Sequence, residues 1–274
     1  MSAGQILTFP DYCAIDAVNW SSLKHLWDGS PAHYRHHLAT ADKDTTGRMS
    51  GRLLHGLALG SFDEDFVIYE DGDRRGKAWE AFKAANPGKT IMKPSEVADV
   101  RAQAAAVHRH RVAHDLIAGA AVEQTVTWLD PETGIPCKGR LDALSFDRGY
   151  LADLKGCGGL SLLDRQSPRL GYLHQLAWYR RGVRVAYGTE VDAYLIGVET
   201  KAPHDVGVWK LDRDLLTLCE REIVGVMARL ADCIQADRWP GRMPDLGEML
   251  IPSWMISDEL DIPDTGFEDS DERL

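Results

Sequence analysis

The run Lys138-Gly139-Arg140-Leu141-Asp142-Ala143, followed by Leu151-Ala152-Asp153-Leu154-Lys155-Gly156, decides how this chain is read. Asp147-Arg148-Gly149 lies between them and supplies turn chemistry, so residues 136–146 and 150–156 are expected to pair as a β-hairpin. Side chains alternate across a strand, which puts Asp153 and Lys155 on one face and turns Leu154 into the core. Across an antiparallel pair Asp142 falls near that same face, with Leu141, Leu151 and Leu154 expected to bury the other. Gly139 and Gly156 flank the acidic positions, and glycine within a strand often marks the close approach of another part of the chain. Two convergent carboxylates offer hard oxygen ligands that suit Mg²⁺ or Mn²⁺. A cation held there polarises a phosphodiester oxygen and lowers the pKa of bound water. The Lys155 ammonium can then hold that water and offset negative charge in the transition state. Taken alone, Asp-x-Lys on a strand more often describes a surface ion pair.

Upstream of the hairpin, Val122, Thr125, Val126, Thr127 and Trp128 predict a strand that carries Glu123 and stops at Asp130-Pro131. The spacing of Val97, Val100, Ala104, Val107 and Val112 predicts one helix over 95–118, its other face bearing Arg101, His108, Arg109, His110, Arg111 and His114. Residues 63–95 mix charge, glycine and proline and are expected to pack at the edge of the core or to move. Met49, Leu53, Leu54, Leu57 and Ala58 recur at helical spacing up to Gly60, and His55 rides on that helix. A lone histidine on an apolar helix face is also a common core residue. Asn19 caps a helix carrying Leu23, Leu26 and Trp27, Ser30-Pro31 opens another, and 41–47 reads as loop. Downstream, a helix is predicted over 169–187, strands over 190–199 and 205–211, and a long amphipathic helix over 213–236. Gln175 and Tyr179, four apart, share a helix face, either turned to a site or as a buried hydrogen-bonded pair. Arg180, Arg181 and Arg184, like the histidine–arginine face at 108–114, are either phosphate contacts or a solvated basic surface. The order of helices, three strands, helix, two strands and helix predicts an α/β (α+β) fold. A single domain is expected over residues 1–256, helical to about 118 and with its sheet core over about 119–236.

Five motifs in this order, Gly-Arg-Leu-Leu-His (51–55), Glu123, Gly-Arg-Leu-Asp (139–142), Asp-Leu-Lys (153–155) and Gln175-x-x-x-Tyr179, resemble the PD-(D/E)XK nuclease superfamily. Within it they are most similar to the RecB-type and exodeoxyribonuclease VIII-like branch, which includes phage and prophage recombination exonucleases. Asn-Trp-Ser-Ser-Leu-Lys (19–24) and Ser-Pro-Ala-His-Tyr (30–34) resemble that branch's N-terminal segment, so the likeness runs from 18 to 211 or so. No motif is specific alone; five in the right order and spacing are. The resemblance implies a restriction-endonuclease-like core, a mixed central sheet flanked by helices. It implies that His55, Asp142, Asp153 and the Leu154 carbonyl bind Mg²⁺ (or Mn²⁺), and that Lys155 is catalytic. Glu123 is implied as a supporting group or an added ligand, and Gln175 and Tyr179 as groups that position DNA or water. Asp153 stands where many members carry Glu. The implied activity is digestion of one strand from a duplex end, leaving single-stranded DNA for recombination. A single-strand annealing protein is the implied partner, and a homo-oligomer the implied assembly. One of the tryptophans could serve as a stacking platform at a DNA end. The alternatives are a structure-specific endonuclease of the same fold and a catalytically silent DNA-binding protein.

Composition bounds this reading. With 274 residues, 44% hydrophobic and 27% charged, the chain is of ordinary globular composition. No apolar run approaches the ~20 residues of a membrane span, and no secretory leader is visible. Five cysteines, an odd number without a C-x-x-C pair, argue against zinc or iron–sulfur sites and for reduced thiols. A cytoplasmic protein is therefore expected, within a bacterial host if it derives from a phage. The net charge of −11 is concentrated in Ser257–Leu274, an acidic tail expected to be disordered. Without it 30 basic residues face 34 acidic ones, and a local basic surface suffices for DNA. The P-loop, H-E-x-x-H and G-x-S-x-G signatures are missing, which removes other phosphoester and acyl hydrolases from consideration.

Overall fold

The computed structural model describes residues 5–40, 46–70 and 72–243. Most of the loop expected at 41–47, and all of the acidic tail, lie outside these residues. The elements run β1 (Gln5–Ile6), α1 (Phe9–Ala14), α2 (Trp20–Trp27), α3 (Pro31–Ala39), α4 (Thr46–Leu59), α5 (Phe62–Asp65), β2 (Phe66–Ile68), α6 (Gly76–Ala85), β3 (Thr90–Met92) and α7 (Pro94–Arg109). There follow α8 (Arg111–Ala118), β4 (Ala121–Leu129), β5 (Pro136–Ser145), β6 (Tyr150–Cys157), α9 (Leu160–Leu170), α10 (Tyr172–Tyr187), β7 (Asp192–Glu199), β8 (Val206–Lys210) and α11 (Arg213–Ala236).

Local chemistry sets most of these boundaries. The Asn19 side chain accepts from the Ser22 N–H and Ser30 from the His33 N–H, so both expected caps form. Asp212 likewise caps α11 at its expected start. The helix expected over 95–118 is broken at His110. That residue is extended and its imidazole accepts from the Ala113 N–H, so it closes α7 and caps α8. The helix expected over 169–187 begins only at Tyr172. Gly171, at φ 74°, ends the preceding α9 in the left-handed conformation that glycine tolerates. Residues 63–95, expected to pack at the edge of the core or to move, fold into two short helices and a parallel pair, β2 with β3.

The main sheet has the order β1-β4-β5-β6-β7-β8; β6 and β7 are parallel and every other pair is antiparallel. The parallel pair requires a crossover, which α9 and α10 provide. On one face Leu23 of α2, Leu176 and Trp178 of α10 and Ile223 of α11 pack with Leu141, Leu144 and Leu151. On the other, Leu54 of α4, Val100 of α7 and Leu116 of α8 pack with Ala143, Ala152 and Leu154. The mixed sheet flanked by helices is thus as expected. The single buried face expected for Leu141, Leu151 and Leu154 is corrected. Leu141 and Leu151 enter one core and Leu154 the other, because helices cover both sides of a sheet containing a parallel crossover.

Candidate active site

Strands β5 and β6 have ten and eight residues but pair only at Ala143↔Ala152, Leu144↔Leu151 and Ser145↔Tyr150. Beyond that point β5 stays with β4 as far as Pro136 and β6 with β7 as far as Cys157, so the sheet forks. Backbone groups freed by the fork need other partners. The Leu154 N–H donates to Asp142 Oδ2 at 2.7 Å, and its carbonyl lies 2.8 Å from His55 Nε2. The Trp178 indole N–H donates to the Lys138 carbonyl at 3.0 Å. Helix α10 also lays the Tyr179 ring on Gly139, where a Cβ would come within 2.9 Å of the ring; this is the close approach expected at that glycine. At Gly156 a Cβ would meet its neighbours at an ordinary 3.5 Å, so no such constraint applies there.

The fork collects charge. His55 reaches in from α4, with Nδ1 3.1 Å from Asp142 Oδ1. Lys155 Nζ is 2.5 Å from Asp153 Oδ2. Asp153 is 1% exposed, yet among the described residues its Oδ1 has no hydrogen-bond partner. Glu123 sits opposite the fork on β4 at φ 54°, a conformation rare for a non-glycine residue and one that tends to persist where a site requires it. Its carboxylate pairs with Arg140. Ligand atoms of His55, Glu123 and Asp142 lie within 4.8 Å of one another. Asp153 stands beside this trio, tied to Lys155. A buried carboxylate oxygen without a partner is costly. Together with a cluster of hard oxygens and one imidazole, it makes a donor set that fits a divalent cation.

Protonation follows from this geometry. Both ring nitrogens of His55 face acceptors. Burial disfavours the imidazolium, but the adjacent Asp142 carboxylate outweighs it and raises the His55 pKa. Burial also opposes ionisation of Asp142, yet His55, Lys155 and the Leu154 N–H hold its carboxyl below the usual range. Asp153 moves the other way, raised by burial and by the like charge of Asp142 despite Lys155. Burial works against the Lys155 ammonium, but Asp153 and Asp142 keep its pKa above the ordinary value. Burial, then Asp142, raise Glu123 against the pull of Arg140.

His55, Glu123, Asp142, Asp153, Lys155, Gln175 and Tyr179 all line one cavity of about 590 Å³. The Gln175 amide donates to the Tyr179 hydroxyl oxygen at 2.7 Å, so the pair is both hydrogen-bonded internally and turned to the site. One expectation is corrected. Arg180, Arg181 and Arg184 neither face this cavity nor form a solvated basic surface. They are engaged by Asp130, Glu132, Glu190 and Glu220, with Arg180 and Arg181 buried. Among the described residues no tryptophan lines the cavity; Trp20, Trp128 and Trp178 are core residues. Arg140 was legible only as part of Gly-Arg-Leu-Asp; its alternation with Asp142 on one strand was the signal that it stands near the acids.

Residues 19–246 match the model of a family described as "PDDEXK-like domain of unknown function (DUF3799)". The chain belongs to this PDDEXK-like family. No curated protein matches the sequence. A crystal structure of a protein of Eubacterium rectale, provisionally named an exonuclease, is similar at a TM-score of 0.59 and 14% identity, covering 92% of this chain and 97% of that one. That likeness shows the fold. A phage-related exonuclease of Haemophilus somnus (TM-score 0.33, 12% identity, 84% and 100% covered) and an alkaline exonuclease of Laribacter hongkongensis (0.32, 11%, 67% and 91%) are more distant; both scores are too low to bear on the fold. Family membership supports a nuclease, and PD-(D/E)XK nucleases use divalent metals. Among the described residues no helix is long and apolar enough to cross a membrane.

Proposed function

We propose that this protein is a divalent-metal-dependent DNA exonuclease that digests one strand from a duplex end and leaves single-stranded DNA for recombination. The observation that carries the reading is the fork, where a buried carboxylate oxygen lacks a hydrogen-bond partner among the described residues, beside the His55–Glu123–Asp142 cluster. The exonucleolytic mode is supported by the resemblance of the five motifs to the exodeoxyribonuclease VIII-like branch. Asp142, Asp153, His55 and the Leu154 carbonyl would hold Mg²⁺ or Mn²⁺, with Glu123 as a further oxygen donor. When bound, such a cation supplies Lewis acidity to the scissile phosphate and acidifies a water. Lys155, its pKa raised, remains an ammonium and acts as a fixed positive charge where negative charge develops, not as a proton acceptor. Tyr179 stays a neutral phenol because burial holds its pKa well above the ordinary value. Its oxygen accepts from Gln175, which leaves the phenol proton to be donated to a phosphate oxygen or a water. Asp142 spends one oxygen on the Leu154 N–H, which fixes the direction of the other toward the cavity.

The test is cleavage of one plasmid in linear and covalently closed forms with Mg²⁺ or Mn²⁺, beside Lys155→Ala. Degradation of the linear form only, lost in the variant, is the expected result. Cutting of both forms would replace the exonuclease by an endonuclease. No metal-dependent cutting of either would contradict the nuclease reading.

A further inference from the structure

Lys155 carries its charge on a flexible four-carbon stem, which keeps one geometry only where several contacts fix it. Among the described residues its one ion pair is with Asp153, Nζ to Oδ2 at 2.5 Å. Asp153 is also the buried carboxylate whose Oδ1 has no hydrogen-bond partner among those residues. A carboxylate that ligates a cation gives up much of its attraction for a neighbouring ammonium. As a ligand, Asp153 would therefore loosen Lys155 in the state where the ammonium must stand at the scissile phosphate. The Tyr172 ring offers a second hold. The ammonium lies over it, Nζ 5.3 Å from the ring centre, within the range of attraction between a cation and a ring face. Burial raises the Tyr172 pKa against the pull of Lys155, so the phenol stays neutral and attracts through its face. The backbone sets the ring's place. Gly171, at φ 74°, turns the chain from α9 into α10 and makes Tyr172 the first residue of that helix. Trp20 packs on this corner, where a Cβ at Gly171 would come within 3.2 Å of its ring. Tyr172 itself packs against the core that contains Trp20 and Leu163.

Tyr172, Gln175 and Tyr179 share one face of α10, three and four residues apart. Gln175 and Tyr179 line the cavity together with Lys155, whereas Tyr172 does not. Tyr172 thus meets the site at the lysine. We propose that Tyr172 is the positioning residue of Lys155: its ring face keeps the ammonium aimed into the cavity when Asp153 serves as a cation ligand. A ring face suits this task better than another carboxylate, which would itself be drawn to the cation. The inference rests on the nuclease reading and deepens it.

The test uses the full chain with its lysines labelled with ¹³C at the ε-carbon, the Lys155 signal being assigned by its loss in Lys155→Ala. A ring beneath the ammonium shifts the ε-methylene resonance upfield. It should stay upfield when Mg²⁺ saturates the protein, remain so in Tyr172→Phe, and return to the position of exposed lysines in Tyr172→Leu. Cleavage of linear duplex should follow the ring. Tyr172→Leu should lower kcat roughly tenfold with KM little changed, as expected for loss of one contact between a cation and a ring. Tyr172→Phe should cut at the unsubstituted rate, and Tyr172→Leu should add nothing to the effect of Lys155→Ala. A Lys155 signal at the position of exposed lysines in Mg²⁺ would overturn the positioning role, even if Tyr172→Leu folds too poorly to assay. Unchanged kcat in Tyr172→Leu would overturn it too and leave the nuclease reading standing. Absence of metal-dependent cleavage by the unsubstituted protein would overturn both.

Discussion

Helix α10 separates two charged regions with opposite characters. Toward the fork it presents Gln175 and Tyr179 to a cluster of His55, Glu123, Asp142, Asp153, Lys155 and Arg140. Further along, Arg180, Arg181 and Arg184 meet Asp130, Glu132, Glu190 and Glu220, with Arg181 Nη2 2.8 Å from Asp130 and Arg180 Nη2 2.7 Å from Glu190. In that network every cation is a guanidinium that cannot lose its proton, so its positive charge does not depend on pH. In the fork the balance depends on one titratable imidazole, and among the described residues Asp153 Oδ1 is left without a hydrogen-bond partner. A histidine that gives up its proton leaves a negatively charged pocket with free ligand atoms, which an arginine could not do. The two regions thus differ in whether their charge balance rests on a group that titrates near neutral pH.

Substitutions should break the two regions in different ways. The largest effect is expected from Lys155→Ala, which should lower the cleavage rate by about 10²–10³-fold while the protein still folds and still binds metal. Steady-state cleavage and thermal unfolding measured on the same preparation check this; near-full activity would remove Lys155 from the mechanism. Asp130→Asn should do the reverse. It breaks a buried pair and should cost about 3 kcal/mol, or roughly 10 °C in melting temperature, while the folded fraction still cleaves DNA. If this variant were stable but inactive, the network would belong to the site.

Smaller effects sharpen the contrast. Gly139→Ala pushes a methyl toward the Tyr179 ring and should cost about 1–3 kcal/mol. It should also lower cleavage, because the Gln175–Tyr179 pair must shift. Unaltered kinetics would show that the phenol has no part in positioning. The smallest effect is on acid stability. Burial opposes ionisation of Asp130, but Arg181 and Thr133 hold its carboxyl below the usual range. A depressed folded-state pKa gives stability that is fully present above the unfolded value of about 3.9 and is lost as the pH falls through the folded value. Denaturant unfolding followed downward from pH 5 should therefore steepen in the unsubstituted protein and flatten in Asp130→Asn; parallel profiles would rule out this contribution.

The fold was legible where the signal is local. The hairpin around Asp147-Arg148-Gly149, the caps at Asn19 and Ser30, and the amphipathic α11 all follow from short-range periodicity and turn chemistry. The break at His110 escaped because an imidazole did the capping, without glycine or proline to announce it. Helix α9 and strand β1 escaped because Pro168 stands inside α9, where a proline argues against a helix, and β1 is only two residues long. Strand alternation brought Asp142, Asp153 and Lys155 toward one face, whereas His55 and Glu123 joined them only through the resemblance of the ordered motifs to the PD-(D/E)XK superfamily. The fork could not be read in either way, because it arises where two strands leave each other for different neighbours. Glu123's positive φ, Arg140's bridge to Leu7 and the enclosure of Arg180 and Arg181 are likewise products of tertiary packing.

The central claim is that the fork is a divalent-cation site. Calorimetric titration of Mn²⁺ into the unsubstituted protein, Lys155→Ala and Asp142→Ala tests it most directly. Comparable saturable binding by the first two and its loss in Asp142→Ala is the predicted result. No binding by the unsubstituted protein, or binding that survives Asp142→Ala unchanged, would contradict it.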